Sequence, residues 1–492
     1  TSEKNEEVGD RNNDEVRIDA AQLKARVVGE GANLGFTQKA RIEYALAGGH
    51  INTDAIDNSA GVDTSDHEVN LKILLTGLQK KQVIKDYQQE FEALTDDVCK
   101  SVLADNYRQS LCISLERLRI KFYSADSFLS LAARLEGAGY LDRLVEAFPL
   151  NKEVMARTDQ AITRPELAVL MAAGKMMLTQ EIMDESAHIA LPEFDQYLQS
   201  YFPDPIVLNY GDYLAGHPLA QAIKATVISN KIINQAGSTF LNWHIDRCRL
   251  IESVTAYLTF EQVLEADYLR DQIYQLDNRV SADDQYSLLL KLENALAQLS
   301  QWSLINNQKV VPDKTLITSY KLSFQAYLRK LNESGKCDTE TDQFVQGGIP
   351  ESLAQRCVAM SYMNDFPLIV YLMNQTKSDF ETVYRVLNES MTLLEIDKLM
   401  QRLDAMILQD YWERKAADDL RVELKQMLAQ LAQKALETGH ANPGRLLNDA
   451  VYKNNFTRYQ RIFKEVCQTS SNSLLPLLSL IKALRTLVLP VL

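Results

Sequence analysis

Apolar positions along the chain first come in short bursts, then settle after about residue 80 into the three-to-four-residue recurrence of helices. Ala25-Arg26-Val27-Val28 is a short β-branched run ending at glycine, which predicts a strand. Ile42, Ala45 and Leu46 follow at helical spacing and halt at Gly48-Gly49, a pair suited to ending a helix. His50 to Asp57 is apolar enough to predict a second short strand. Val69, Ile73, Leu74 and Leu78 predict a helix over residues 65–78. Farther on, Leu393, Ile396, Leu399, Leu403, Met406 and Ile407, then Leu420, Leu424, Met427, Leu428, Leu431 and Ala435, form apolar stripes. Such stripes are helix faces turned into a core. Thr163-Arg164-Pro165-Glu166 precedes another apolar run and reads as a capping box with an early proline, a helix start rather than a site. Between Asn332 and Ser352 the periodicity lapses and turn formers collect, which predicts a loop or subdomain boundary. No repeat period is present, so the helical part is expected to be an irregular bundle.

Strand, helix, strand, helix with short connections is the pattern of crossover units in a parallel sheet, where ligands sit beyond the carboxyl ends of the strands. The expected fold is therefore the α/β C-terminal part of a Rossmann-like dinucleotide-binding domain, followed by a large mainly α-helical domain. The expected boundaries are a polar, flexible segment over 1–20, the end of the cofactor-binding domain over 21–110, and the helical domain over 111–492, with a subdomain boundary near 332–352. Gly29-x-Gly31-x-x-Leu34-Gly35, with Asp54 about twenty residues on, imitates a dinucleotide fingerprint. Its third glycine is one place late, and two strands are too few for a self-standing nucleotide-binding sheet. The remaining strands are expected upstream.

Composition narrows the classes. At 492 residues, with 46% apolar and 24% charged positions, the chain is long enough for several cores and is not disordered in the main. Its 66 acidic against 52 basic residues give a formal charge of −14, a field that repels nucleic acid. Six scattered cysteines, Cys248 among them, form no CxxC pair, so neither a disulfide framework nor a zinc ribbon is indicated and a reducing cytoplasm is expected. His67-Glu68 lacks a second histidine one turn later, and no metal is expected. The N-terminal TSEKNEEVGDRNNDE has no apolar segment of the kind a signal peptide carries. Pro476, Lys482, Arg485 and Pro490 interrupt the apolar C-terminus, which reads as a helix buried at a domain or subunit contact rather than a membrane span.

The spaced motifs EGAN (residues 30–33) and NSAGVDTS (residues 58–65) resemble the end of the glutamate dehydrogenase catalytic domain. With GEGANLG, INTDAIDNSAGVDTSDHEVN and RPELAVL in this order, the whole chain is similar to the C-terminal part of the large bacterial NAD-specific glutamate dehydrogenases. That resemblance implies NAD-dependent oxidative deamination of L-glutamate to 2-oxoglutarate and ammonium. It implies that the amides of Asn33 and Asn58 bond the nicotinamide ribose or carboxamide, with Gly31 and Gly61 allowing close backbone approach. Val62 matches an apolar contact to the substrate methylenes, and Ser65 the serine that bonds the substrate side-chain carboxylate. Read without the family, Ser65-Asp66-His67-Glu68 is also a capping box. Ser59-Ala60, Asp63, Asp66 and His67 depart from the small hexameric members, and Asp63 and Asp66 are expected to point away from an anionic substrate. The family's catalytic lysine and aspartate match nothing here and are expected upstream, so the isolated chain is expected to be inactive. Asp54, Asp57 and Lys72 read as ordinary surface charge. The alternative reading is a helical module for homo-oligomer assembly or regulation.

Overall fold

A computed structural model of the chain describes residues 4–33, 35–123, 125–158, 161–243, 249–306, 312–407, 411–438, 441–469 and 473–488. Leu34, Cys248 and Pro490 lie outside the described residues. The chain divides into two compact units, Thr1–Leu316 and Ile317–Leu492.

In the first unit, strand β1 (Val27–Val28) is followed by helix α1 (Gln38–Leu46) and strand β2 (His50–Ile51). The strands pair in parallel, Val27 with His50 and Val28 with Ile51, so one crossover unit is present as the alternation implied. Thr37 caps α1 by accepting the amide of Ala40, and the chain turns back at Gly48-Gly49, where a Cβ on Gly49 would sit 2.2 Å from the Tyr44 ring. Tyr44 is held there by a small core with Ala20 and Ile51, lined by Val28, Phe36 and Ala45.

The expected Rossmann-like α/β domain is not there. Among the described residues the sheet is one pair of two-residue strands, and the protein is mainly helical. The reason is local: the chain leaves the extended state after Ile51 and enters helix α2 at Asp54 (Asp54–Asp57) instead of continuing to Asp57. Helix α3 (Ser59–Lys80) starts two residues later, six residues before the expected start. A core as small as that around Tyr44 supports a single crossover, and among the described residues no third strand adds to it.

Helix α3 buries Leu71, Leu74, Leu75 and Leu78 against Val98 and Val102 of α4 (Thr95–Tyr123) and against Leu198, Phe202 and Ile206. Helix α5 (Arg164–Asp184) begins as its sequence announces: Glu166, fully buried, accepts from the Thr163 backbone N–H at 2.7 Å and hydroxyl at 2.8 Å. Arg157 grips the same carboxylate with two nitrogens, at 2.8 and 2.7 Å.

In the second unit, Leu420, Leu424, Met427, Leu428, Leu431 and Ala435 are all buried along α6 (Tyr411–Glu437). Helix α7 (Leu475–Val488) turns Leu477, Leu480, Ile481, Leu484 and Leu487 inward, so one face of it is core, while Leu475 and Leu478 stay exposed. The turn-rich stretch 332–352 contains a nine-residue helix, Asp338–Gln346. No helix among the described residues is long and apolar enough to cross a membrane.

Candidate functional site

The carboxyl ends of β1 and β2 carry a buried polar network that joins the two strand ends. Glu30, the second residue after β1, is 4% exposed, and its carboxylate is held by Arg41 of α1, Nε to Oε2 at 2.6 Å and Nη2 to Oε1 at 2.9 Å. The Phe36 amide also donates to Glu30 Oε1 at 3.1 Å, which ties Phe36 back to Glu30. Arg41 reaches Asp54 as well, at 3.0 Å. Burial works to lower the Arg41 pKa, but the hydrogen bonds and charges of Glu30 and Asp54 outweigh it and raise the pKa.

The junction of α2 and α3 grips the loop at two points. Asp57 Oδ2 accepts the backbone N–H of Glu30 at 3.0 Å, and Asn58 Nδ2 donates to Asn33 Oδ1 at 2.7 Å. The EGAN and NSAGV segments, 25 residues apart, thus meet through a pair of side-chain amides. Gly61 faces Asn58: a Cβ there would approach Asn58 Oδ1 to 3.0 Å. Around Gly31 a Cβ would meet nothing within 4 Å, so nothing inside the chain demands glycine at that position.

Asn58, Val62, Ser65 and Val69 follow one another at i, i+4, i+7 and i+11, one face of α3. Asn58 is half-buried, while Ser65 is exposed and Val62 and Val69 are exposed at 67% and 51%. The Ser65 capping box does not form, because α3 already runs from Ser59 and Ser65 is a helix-interior residue. Glu68 instead pairs with Lys72. Asp54 and Asp57, expected to be plain surface charge, are instead half-buried and bound to Arg41 and to the Glu30 amide, while Lys72 is exposed surface charge, as expected, in an i,i+4 pair with Glu68.

The opposite face of α3 carries a second cluster. His67 is buried, stacked on Tyr201 with ring centroids 4.1 Å apart, and its Nε2 lies 3.8 Å from Asp63 Oδ1. Burial pushes the Asp63 carboxyl up to about 6, aided by the carboxylates of Asp105 and Asp66 and opposed by Lys175. Burial likewise pushes half-buried Lys175 down to about 8 and lowers His67. Asp66 is exposed beside Ser65. Because Asp63 is harder to ionise folded than unfolded, where its ordinary value is 3.8, the folded state holds its proton through the window from about 4 to 6. Stability therefore falls as pH rises across that window. Asp63→Asn is expected to raise the melting temperature at pH 7.5 and to lose that advantage by pH 4; a pH-independent difference would contradict the assignment.

Among the described residues no cluster of metal-ligating side chains is present. The sequence reading missed Glu30, Arg41, Asn52 and Arg164 as parts of this framework. The one available signal was that EGAN carries its acid directly before the glycine, on a strand end where an unpaired charge is costly.

Residues 1–116 match the family described as "Bacterial NAD-glutamate dehydrogenase, catalytic domain", and residues 159–486 match "Glutamate dehydrogenase, C-terminal". The chain belongs to the glutamate dehydrogenase C-terminal family. It is 31% identical over 452 residues to an NAD-specific glutamate dehydrogenase of Halomonas elongata, covering 88% of this chain and 27% of that protein. The Pseudomonas aeruginosa relative of the same name is 31% identical over 446 residues (86% and 27%), and that of Mycobacterium tuberculosis 30% over 457 residues (89% and 28%). The chain thus spans about a quarter of the length of these curated relatives.

Proposed function

We propose that the chain is the C-terminal portion of an NAD-dependent glutamate dehydrogenase, converting L-glutamate to 2-oxoglutarate and ammonium. The observation that carries this reading is the amide pair Asn33–Asn58 at the strand ends, continued along α3 by the exposed stripe of Val62 and Ser65. Similarity to NAD-specific glutamate dehydrogenases supports it.

The residues fit the cofactor. With Asn58 Nδ2 engaged by Asn33 Oδ1, the pair still offers the Asn33 NH2 as donor and the Asn58 Oδ1 as acceptor. Those are the complements of a ribose hydroxyl or a carboxamide, and they bring no charge beside an oxidised ring. Asn33, Asn58, Gly31 and Gly61 would hold NAD, which when bound supplies the hydride acceptor for the substrate Cα–H. Val62 would lie against the substrate methylenes, and the Ser65 hydroxyl would donate to its side-chain carboxylate. Proton transfer to and from the amine falls to a lysine and an aspartate outside this chain, in the upstream portion of the same protein. On this reading the protein is a cytoplasmic homo-oligomer, and the chain alone is inactive.

The test is glutamate-dependent NADH formation, followed by absorbance, for the full-length protein and for this chain by itself. Turnover by the isolated chain would refute the assignment of essential groups elsewhere. In the full-length protein Ser65→Ala is expected to raise the KM for glutamate about tenfold, the worth of one hydrogen bond to a charged group, and to leave the KM for NAD unchanged. Unchanged glutamate kinetics would remove Ser65 from the site.

A further inference from the structure

Arg164, the first residue of α5, stands among neutral partners. Its Nε donates to Asn52 Oδ1 at 2.8 Å, Nη1 to Ser114 Oγ at 2.8 Å, and Nη2 to the Ser110 carbonyl at 3.2 Å. It is half-buried and has no ion-pair partner among the described residues. Burial and the Arg117 guanidinium lower its pKa, against the weaker pull of Tyr286 and Asp57. A cation so placed is a poor choice for stability alone, since its desolvation is not offset by a carboxylate.

What it does have is direction. Two of its nitrogens are fixed on α4, and the third is aimed at Asn52. A guanidinium only donates and a carboxylate only accepts. Asn52 stands between the two: with Oδ1 turned to Arg164, its Nδ2 donates to Asp57 Oδ1 at 2.8 Å. A flipped amide would set donor against donor and acceptor against acceptor, so the arginine leaves Asn52 one orientation. The other Asp57 oxygen accepts the Glu30 N–H at 3.0 Å. Asp57 adjoins Asn58, and Glu30 lies in the loop that ends its reach at Asn33.

We infer that Arg164 is a positioning residue: acting through Asn52 and Asp57, it sets the backbone at Glu30 and the place of Asn58, and thereby the Asn33–Asn58 amide pair. Its effect on cofactor use rests on the dehydrogenase reading; its effect on the loop does not.

Three variants of the full-length protein separate the possibilities. Arg164→Met removes every donor. Arg164→Lys keeps the charge but cannot satisfy three fixed directions. Asn52→Asp is nearly isosteric and gives Arg164 a carboxylate partner, yet it removes the donor to Asp57 and opposes two carboxylates. A purely structural arginine would tolerate it. The expected result is that Asn52→Asp and Arg164→Met both speed amide exchange over residues 29–36 by about tenfold, with exchange over helix Leu250–Leu264 unchanged. Both should weaken NAD binding, measured by calorimetric titration, by about fivefold and leave the KM for glutamate within about twofold. Arg164→Lys should recover little of either. Unaltered loop exchange in Asn52→Asp overturns the inference, and this variant decides the matter if Arg164→Met fails to fold. If the wild-type protein neither binds NAD nor reduces it with glutamate, the dehydrogenase reading and the cofactor effect fall together, while loop exchange still decides the positioning role.

Discussion

Glu30→Ala is expected to destabilise the N-terminal unit by about 3–5 kcal/mol, the usual result of stripping one partner from a buried ion pair. Arg41 is 6% exposed and makes both strong bonds of its fork to Glu30; alanine would leave it with Asp54 and Gln38 alone. The same change frees the Phe36 amide, which Glu30 now satisfies. Equilibrium urea unfolding gives the magnitude, and a loss under about 1 kcal/mol would show that the pair is not buried in solution. Glu30→Gln should lie between, because it preserves volume and one acceptor but not the charge. The informative companion is Glu30→Leu with Arg41→Met. An apolar pair of similar size commonly restores the stability that a broken ion pair loses, but it cannot accept the Phe36 N–H. Recovered stability with impaired cofactor binding would separate the pair's contribution to folding from its contribution to the shape of the loop.

How much of this could be read from the chain before folding depends on the range of the forces involved. Helix existence was legible wherever packing and propensity agree: the stripe from Leu420 to Ala435 is core, and the Thr163–Glu166 box caps its helix. The first shows as a local apolar periodicity, and the second rests on contacts within one turn. The position of Gly48-Gly49 after α1 was legible for the same reason, and so was the parallel pairing of the two strands around α1. The sheet was overread because His50 to Asp57 has strand composition, while Asp54 and the small core around Tyr44 favour an early helix. Ser65 to Glu68 satisfies the pattern of a cap, yet a pattern cannot tell that α3 is already under way at Ser59. Least legible were charges whose partners are distant in sequence. Asp57 binds an amide 27 residues away and Arg164 an amide 112 residues away. No local rule distinguishes such residues from solvated surface, since only the tertiary fold brings the partners within reach.

The amide pair itself is best tested as a pair. Asn33→Ala and Asn58→Ala are each expected to weaken NAD binding about tenfold, or about 1.4 kcal/mol, because each leaves the other amide without the bond that orients it. If the two act as one unit, Asn33→Ala/Asn58→Ala will be no more than about tenfold weaker than the wild type, a coupling of the same 1.4 kcal/mol. Additive losses, about a hundredfold in the double variant, would mean that the asparagines bind independently and that their mutual hydrogen bond is incidental. Gly61→Ala supplies a third vertex without removing either amide. Its Cβ would press on Asn58 Oδ1 from 3.0 Å, and helix-interior alanine is otherwise favourable over glycine by about 0.5–1 kcal/mol. Gly61→Ala should therefore stabilise the protein or leave it neutral while weakening NAD binding, through a displaced Asn58 side chain, through a methyl in the way of the cofactor at the Gly61 backbone, or through both. In the Asn58→Ala background the added methyl has no Asn58 amide to displace, so the part of its effect on binding that acts through Asn58 should vanish there, any remaining loss measures the close approach of the cofactor to Gly61, and its effect on stability should persist.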